Sequence, residues 1–149
     1  MKKFLMICTA VLILVSCVSH PKNLETNAKD IIFWDESITK EQCAGVYITD
    51  GLTVTSYNGA PVNWGPDVLL YLPPGEVNFT FAADYDYGYS HFSGEDIPFK
   101  WLFGAGEGRY IRGGYRGNNA VLFVIDPNNK AKWYNQSAYE IPRQRIILQ

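Results

Sequence analysis

Between Cys43 and Ile125 apolar and polar residues alternate with a period of two, interrupted at short intervals by turn dipeptides, and no ten-residue stretch carries a helical period. Ala44, Val46 and Ile48 share one face. Asp50-Gly51 then turns the chain, and Leu52 to Thr55 resumes the alternation. Tyr57-Asn58-Gly59 marks a second turn, followed by Ala60 to Trp64, and Val68 to Leu72 is a short apolar strand stopped by Pro73-Pro74-Gly75. In the next strand Val77, Phe79, Phe81 and Ala83 share a face, and the same parity continues through Tyr85, Tyr87 and Tyr89. This predicts one long strand whose buried side passes from Phe to Tyr as it leaves the core, bending at Gly88. Ser90 to Asp96 reads as a polar loop, and Ile97, Phe99, Trp101 and Phe103 alternate again. Gly104 to Gly108 reads as a turn, Arg109 to Tyr115 as a strand, and Ala120 to Ile125, apolar on both faces, as a central strand. Lys130 to Tyr134 and Arg145 to Leu148 are candidates for late strands. The fold class expected is all-β: an antiparallel β-sandwich, Ig-like or related, over residues 35–149.

Ahead of that pattern the chain changes character. Met1-Lys2-Lys3 is basic, and Phe4 to Val15 is a mostly apolar run of about a dozen residues, too short to span a bilayer. It ends in Leu14-Val15-Ser16-Cys17, which resembles the lipobox of bacterial lipoproteins: an apolar residue, a small or apolar one, a small one, then Cys. The resemblance implies a signal peptide over residues 1–16 and lipidation at Cys17, whose thiol is the nucleophile for diacylglycerol transfer. Each buried methylene contributes roughly 0.8 kcal/mol, and two chains give stable anchoring. The absence of Asp after the cysteine, where Val18 stands, favours the outer membrane, periplasmic or surface-facing. Residues 17–34 are expected to be the lipidated cysteine and a tether, with Val18 to Lys29 polar and aperiodic. Ile31-Ile32-Phe33-Trp34 fits either a first edge strand or a segment docked on the domain, and Asp35 to Gln42 fits one helical turn.

Charge and cysteine count sharpen this reading. The formal net charge of −2 falls to about −4 once Lys2 and Lys3 leave with the signal peptide, so no basic footprint for nucleic acid remains. Cys8 leaves too, and Cys17 is taken by lipid. Only Cys43 remains in the body, so no disulfide forms within the mature chain. Apolar residues at 47% and aromatics at 15% must supply a packed core instead, with Trp64, Trp101 and Trp133 in it or at its rim and Cys43 a small buried residue.

Several short motifs extend the lipoprotein resemblance into the domain. They are Asp35-Glu36-Ser37, Ala44-Gly45-Val46-Tyr47, Thr55-Ser56-Tyr57-Asn58-Gly59 with Val62 and Trp64, Leu72-Pro73-Pro74-Gly75-Glu76, and Phe103-Gly104-Ala105-Gly106 before Tyr110. Together, over roughly residues 35–126, they resemble a group of bacterial lipoproteins, some from spirochaetes. Pro74 stands where a small residue is commoner in that group. The resemblance implies a compact β-sandwich on a lipid tether and assigns no catalytic residues.

Motifs with catalytic associations lack their context. Ser37-Ile38-Thr39-Lys40 matches S-x-x-K, but neither K-T-G nor S-D-N occurs. Gly104, Gly106 and Gly108 precede a strand-like segment, whereas a phosphate-cradling loop opens a helix. Arg112 to Gly117 is one RGG-like copy in an acidic chain and reads as a hairpin. No metal-ligand spacing surrounds His91, and no cofactor is expected. The stretch from Asp84 to Asp96 is the candidate site: Tyr85, Tyr87, Tyr89, His91 and Phe92 stand among carboxylates and serines, a composition suited to sugar rings or a protein partner. The bland alternative is that the tyrosines roof the core. The function expected is a non-enzymatic, membrane-anchored envelope lipoprotein binding a protein or glycan. A structural accessory subunit of an envelope complex is the second expectation, and a hydrolase using His91 the third.

Overall fold

The computed structural model describes residues 23–88 and 90–142. They begin with a single helical turn, α1 (Asn23–Asn27), followed by strands β1 (Asp30–Phe33), β2 (Ala44–Ile48), β3 (Leu52–Tyr57), β4 (Ala60–Trp64) and β5 (Val68–Leu72). The long pair β6 (Gly75–Tyr87) and β7 (Ser90–Phe103) comes next, then β8 (Gly108–Arg116), β9 (Asn119–Ile125) and β10 (Ser137–Glu140). One sheet has the order β1-β5-β2-β8-β9-β10 and the other β4-β3-β6-β7. The two pack face to face, so the expected sandwich is present. Its larger sheet departs from a purely antiparallel arrangement: β1 runs parallel to β5, and β2 parallel to β8. Both parallel pairs are made by strands distant in sequence, as parallel pairing requires.

Period two explains the core. Val46, Ile48, Leu70 and Leu72 point inward from the larger sheet, and Val54, Val77, Phe79 and Phe81 point inward from the smaller one, in one continuous buried cluster. Phe79, Phe81 and Phe99 form its aromatic centre, Phe81 meeting Phe99 edge-to-face at 5.6 Å.

The outer face of the larger sheet is apolar as well, and that sets the fate of the N-terminal segment. Tyr47, Leu69 and Tyr71 point away from the core and would face water without a cover. Leu24 of α1 supplies it, fully buried in a second cluster with Cys43 and those three residues. Two phenols then fasten the turn. The Tyr47 hydroxyl donates to the Asn27 carbonyl at 2.9 Å and to Asp67 Oδ1 at 3.0 Å, and the Tyr71 hydroxyl donates to Glu25 Oε1 at 2.6 Å. Lys40 pairs with the same Glu25 carboxylate, and Lys29 with Asp67. The expected tether is therefore corrected over residues 23–34: this part is packed on the domain, because the sheet's outer apolar face needs covering. Ile31–Phe33 lies within an edge strand, and the expected helical turn before β2 is the 3-10 turn Lys40–Gln42.

Three other segments differ from expectation. Ser90 to Asp96 is not a loop but the first half of β7. The late strand expected at Lys130 to Tyr134 is displaced: Trp133–Asn135 is a 3-10 turn whose Trp133 ring covers Phe123 edge-on at 5.0 Å, and the strand is β10, paired with β9. The late strand expected at Arg145 to Leu148, like the expected signal peptide over residues 1–16 and Cys17, lies outside the described residues. No helix among the described residues is long and apolar enough to cross a membrane.

Candidate functional site at the hairpin tip

The candidate stretch sits where β6 and β7 extend past the sandwich as a two-stranded ribbon. Their register runs without interruption from Ala83–Gly94 to Tyr87–Ser90, so Gly88 falls in a tight turn rather than at a bend in a longer strand. Tyr85 is turned inward. Its ring stands 5.3 Å from that of Phe92 and 5.9 Å from that of Tyr115, and its hydroxyl donates to the carbonyls of Gly114 and Val121 at 3.2 and 3.4 Å. Phe92 is half-buried against the core. Tyr85 and Phe92 thus close the end of the sandwich, which corrects their assignment as ligand-facing aromatics. The backbone of Tyr87 pairs with Ser90. Tyr89 lies outside the described residues.

His91 does lie at the surface. Its Nδ1 is 2.8 Å from Asp86 Oδ1, and its Nε2 is 3.6 Å from Asp84 Oδ1. The cross-strand pairing of Asp86 with His91 and of Asp84 with Ser93 puts the two carboxylates on one face of the ribbon, two residues apart, with the imidazole across from them. The ring is thereby held between two acids. A relay to a serine needs one nitrogen on a hydroxyl, and among the described residues the hydrogen bond recorded for this ring goes to a carboxylate.

Beside this face opens a shallow cleft of about 530 Å³, lined by Thr49, Asp50, Gly51, Asp84, Tyr85, Asp86 and Arg112. Three elements build it, the β2–β3 turn, β6 and β8. The β2–β3 turn contributes Thr49 to Gly51 and is locked to β6 by a hydrogen bond from the Asp84 amide to the Gly51 carbonyl at 2.8 Å. Gly51 is required there: it sits at φ +77°, and a Cβ would fall 2.7 Å from the Asp84 carbonyl oxygen. Thr49 ties the turn to β8, its Oγ1 donating to the Ile111 carbonyl at 2.9 Å. Arg112, from β8, forms the opposite wall and holds its guanidinium 5.0 Å from the Trp133 ring centre. Three carboxylate residues, Asp50, Asp84 and Asp86, thus line one cleft with Arg112. The cleft can accept hydrogen bonds from hydroxyl or ammonium groups, and Arg112 can donate to a carbonyl or carboxylate.

The sequence pattern identified Asp84, Asp86 and His91 but missed Thr49, Asp50 and Arg112. Asp50 was visible only as half of a turn dipeptide, and its approach to Asp84 depends on the β3–β6 pairing. Among the described residues no group of three or more His, Cys, Asp or Glu side chains is arranged to hold a metal ion. The chain matches no protein family, no curated protein and no solved structure.

Proposed function

We propose that this chain is a lipid-anchored protein of the bacterial envelope, held by Cys17, that serves as a non-enzymatic binding module for a protein or glycan. The lipobox at the end of the apolar run supports the anchor, Val18 in place of an Asp after the cysteine supports an outer-membrane site, and the likeness of residues 35–126 to spirochaete-type lipoproteins agrees with the anchor. The observation that carries the binding reading is the cleft beside the β6–β7 ribbon: three segments distant in sequence converge on it, with Asp50, Asp84, Asp86 and Arg112 among its lining residues. Polar groups held on strands in this way suit recognition of a hydroxyl-rich or amine-bearing surface. The aromatic contribution expected from Tyr85 is withdrawn, since that ring is spent on the core.

Two experiments test the reading. Metabolic labelling with a fatty-acid probe should mark the wild-type chain and fail on Cys17→Ala, and undiminished labelling of the variant removes the anchor. Affinity capture of the intact lipidated protein from solubilised envelope, with bound proteins and glycans both identified, should give a partner that is lost in Asp84→Asn/Asp86→Asn. Capture that is indifferent to those changes removes the cleft as the binding surface.

A further inference from the structure

Most of the large apolar side chains left exposed in the described residues gather at one end of the sandwich, the end at which the lipid-bearing segment enters. Tyr71 fixes this geometry. Its hydroxyl holds Glu25 in α1, and its ring stacks on Phe33 at 4.7 Å, so the start of the described chain and the end of β1 lie side by side. Trp34 follows and meets Tyr57 and Trp64 edge-on at 4.7 and 5.7 Å. Tyr57 pairs with Phe79, and Leu102 pairs with Glu76 farther along β6 in the same direction, which places Leu102 at this end too. Phe33, Trp34 and Leu102 are 41%, 44% and 72% exposed. Ile31, 46% exposed, continues the ledge on the outer face of β1, whereas Tyr134 lies away from it, next to Trp133. The cleft occupies the opposite end, because Leu52 pairs with Ala83 there and the ribbon continues beyond.

We infer that the Phe33–Trp34–Leu102 ledge rests on the lipid surface and orients the domain, with the ribbon and its cleft pointing away from the membrane. This rests on the lipid anchor at Cys17. From Cys17 to Asn23 are six residue steps, about 20 Å even when fully extended. Since α1 is fastened to the sheet, the anchored end of the domain cannot move farther than that from the bilayer. Trp favours the headgroup level, and Phe and Leu bury at the boundary between headgroups and acyl chains. The charges at this end include Asp35, Glu36, Glu41, the Glu25–Lys40 and Glu76–Lys100 pairs, and Arg109 held by Glu107 and Asp126, so acids outnumber bases and there is no cationic excess. The contact is therefore apolar and interfacial and does not need anionic lipid. β6 is 13 residues long, so the tip stands about 40 Å from the ledge.

The test uses the full lipidated protein reconstituted into phosphatidylcholine vesicles with brominated acyl chains. Cys43 is buried, so a fluorophore can be placed on Leu102→Cys, or on Asn118→Cys in the β8–β9 turn at the opposite end. Bromine should quench the Leu102→Cys label about twofold or more and leave the Asn118→Cys label unchanged. A label-free measurement should agree: the tryptophan quenching of wild type should fall in Trp34→Phe. Equal quenching at both positions, or none at either, on protein whose Cys17 carries the fatty-acid label, overturns the orientation and leaves the anchor standing. Protein without that label removes the anchor, and the orientation with it. A Leu102→Cys label already shielded in detergent, on protein of doubled mass, assigns the ledge to a second copy and also overturns the proposal.

Discussion

The α-carbon of Gly113 lies directly against the ring of Tyr85, so close that a Cβ at position 113 would stand 2.4 Å from two ring carbons. β8 is thinned at this point to admit the phenol, whose hydroxyl then reaches the carbonyls of Gly114 and Val121 on the far side. The closed end of the sandwich and the base of the ribbon both depend on this fit. Gly113→Ala should therefore destabilise the domain by about 1–3 kcal/mol through overpacking. Tyr85→Phe, which keeps the ring and loses the hydroxyl, should cost about 1 kcal/mol. Urea unfolding of both variants checks this, and a neutral Gly113→Ala would mean that the ring lies elsewhere. Because the hydroxyl is internal, Tyr85→Phe should leave partner capture unchanged.

The ribbon face behaves differently because it is in water. Asp84, Asp86 and His91 are exposed, and their contacts are surface contacts of little energetic weight. His91→Asn and Asp86→Asn should each change unfolding free energy by no more than about 0.5 kcal/mol. If the cleft binds a partner, the same substitutions should weaken capture. Loss of capture together with a large loss of stability would instead indicate a structural role for the pair.

How much of this was readable in the chain depends on where the period of two runs unbroken. From Val77 to Tyr85 alternate residues of β6 face the core without exception, and the strand was legible to its tip. β7 was legible only from Ile97 onward. Its register shifts opposite Ala82: Ala83 pairs with Gly94 and Phe81 with Ile97, so Glu95 and Asp96 together oppose one residue, with Asp96 at φ +52°. Phe92 and Gly94 face inward before the bulge, Ile97 and Phe99 after it. Extending the later parity backward would bury Glu95, Ser93 and His91, so the segment looked like a loop. The N-terminal turn was hidden for another reason. Leu24 is one apolar residue in a polar stretch, and its burial depends on Tyr47, Leu69 and Tyr71, which lie far away in sequence. The signal was in β2 and β5, which are apolar on both faces and so needed a second cover. The cleft was half legible because no local pattern records that Asp50 will meet Asp84.

The buried phenols under α1 set the alkaline limit of the fold. Burial, reinforced by the bond to Asp67, pushes the Tyr47 phenol up to about 12, and burial with the Glu25 carboxylate pushes Tyr71 up as well. A group whose pKa is raised in the folded state holds its proton more tightly there. The stability it contributes is complete below the unfolded value near 10 and declines as pH rises from there towards the folded value. The domain should lose stability steadily from about pH 10 to pH 12, and Tyr47→Phe should flatten that limb while lowering stability at neutral pH. Denaturant titrations across this range decide it, and a variant with an unchanged alkaline slope would assign the loss to other groups.

Cys43 offers a direct reading of whether α1 stays docked. The thiol is fully buried in the cluster that Leu24 closes, and burial pushes its pKa up, so both access and thiolate fraction are low in the native state. A thiol reagent should modify the folded protein only through opening. Leu24→Ala removes the side chain that caps the cluster and should cost about 2–4 kcal/mol if the gap does not collapse. Two rates separate local from global opening. If α1 lifts alone, Leu24→Ala should accelerate Cys43 labelling far more than it accelerates exchange of the central β9 amides. If α1 and the sheet open as one unit, both rates should rise by the same factor. A Cys43 that labels at the rate of a free thiol in the wild-type protein would contradict the buried cluster itself, and with it the fastening of α1 to the sheet.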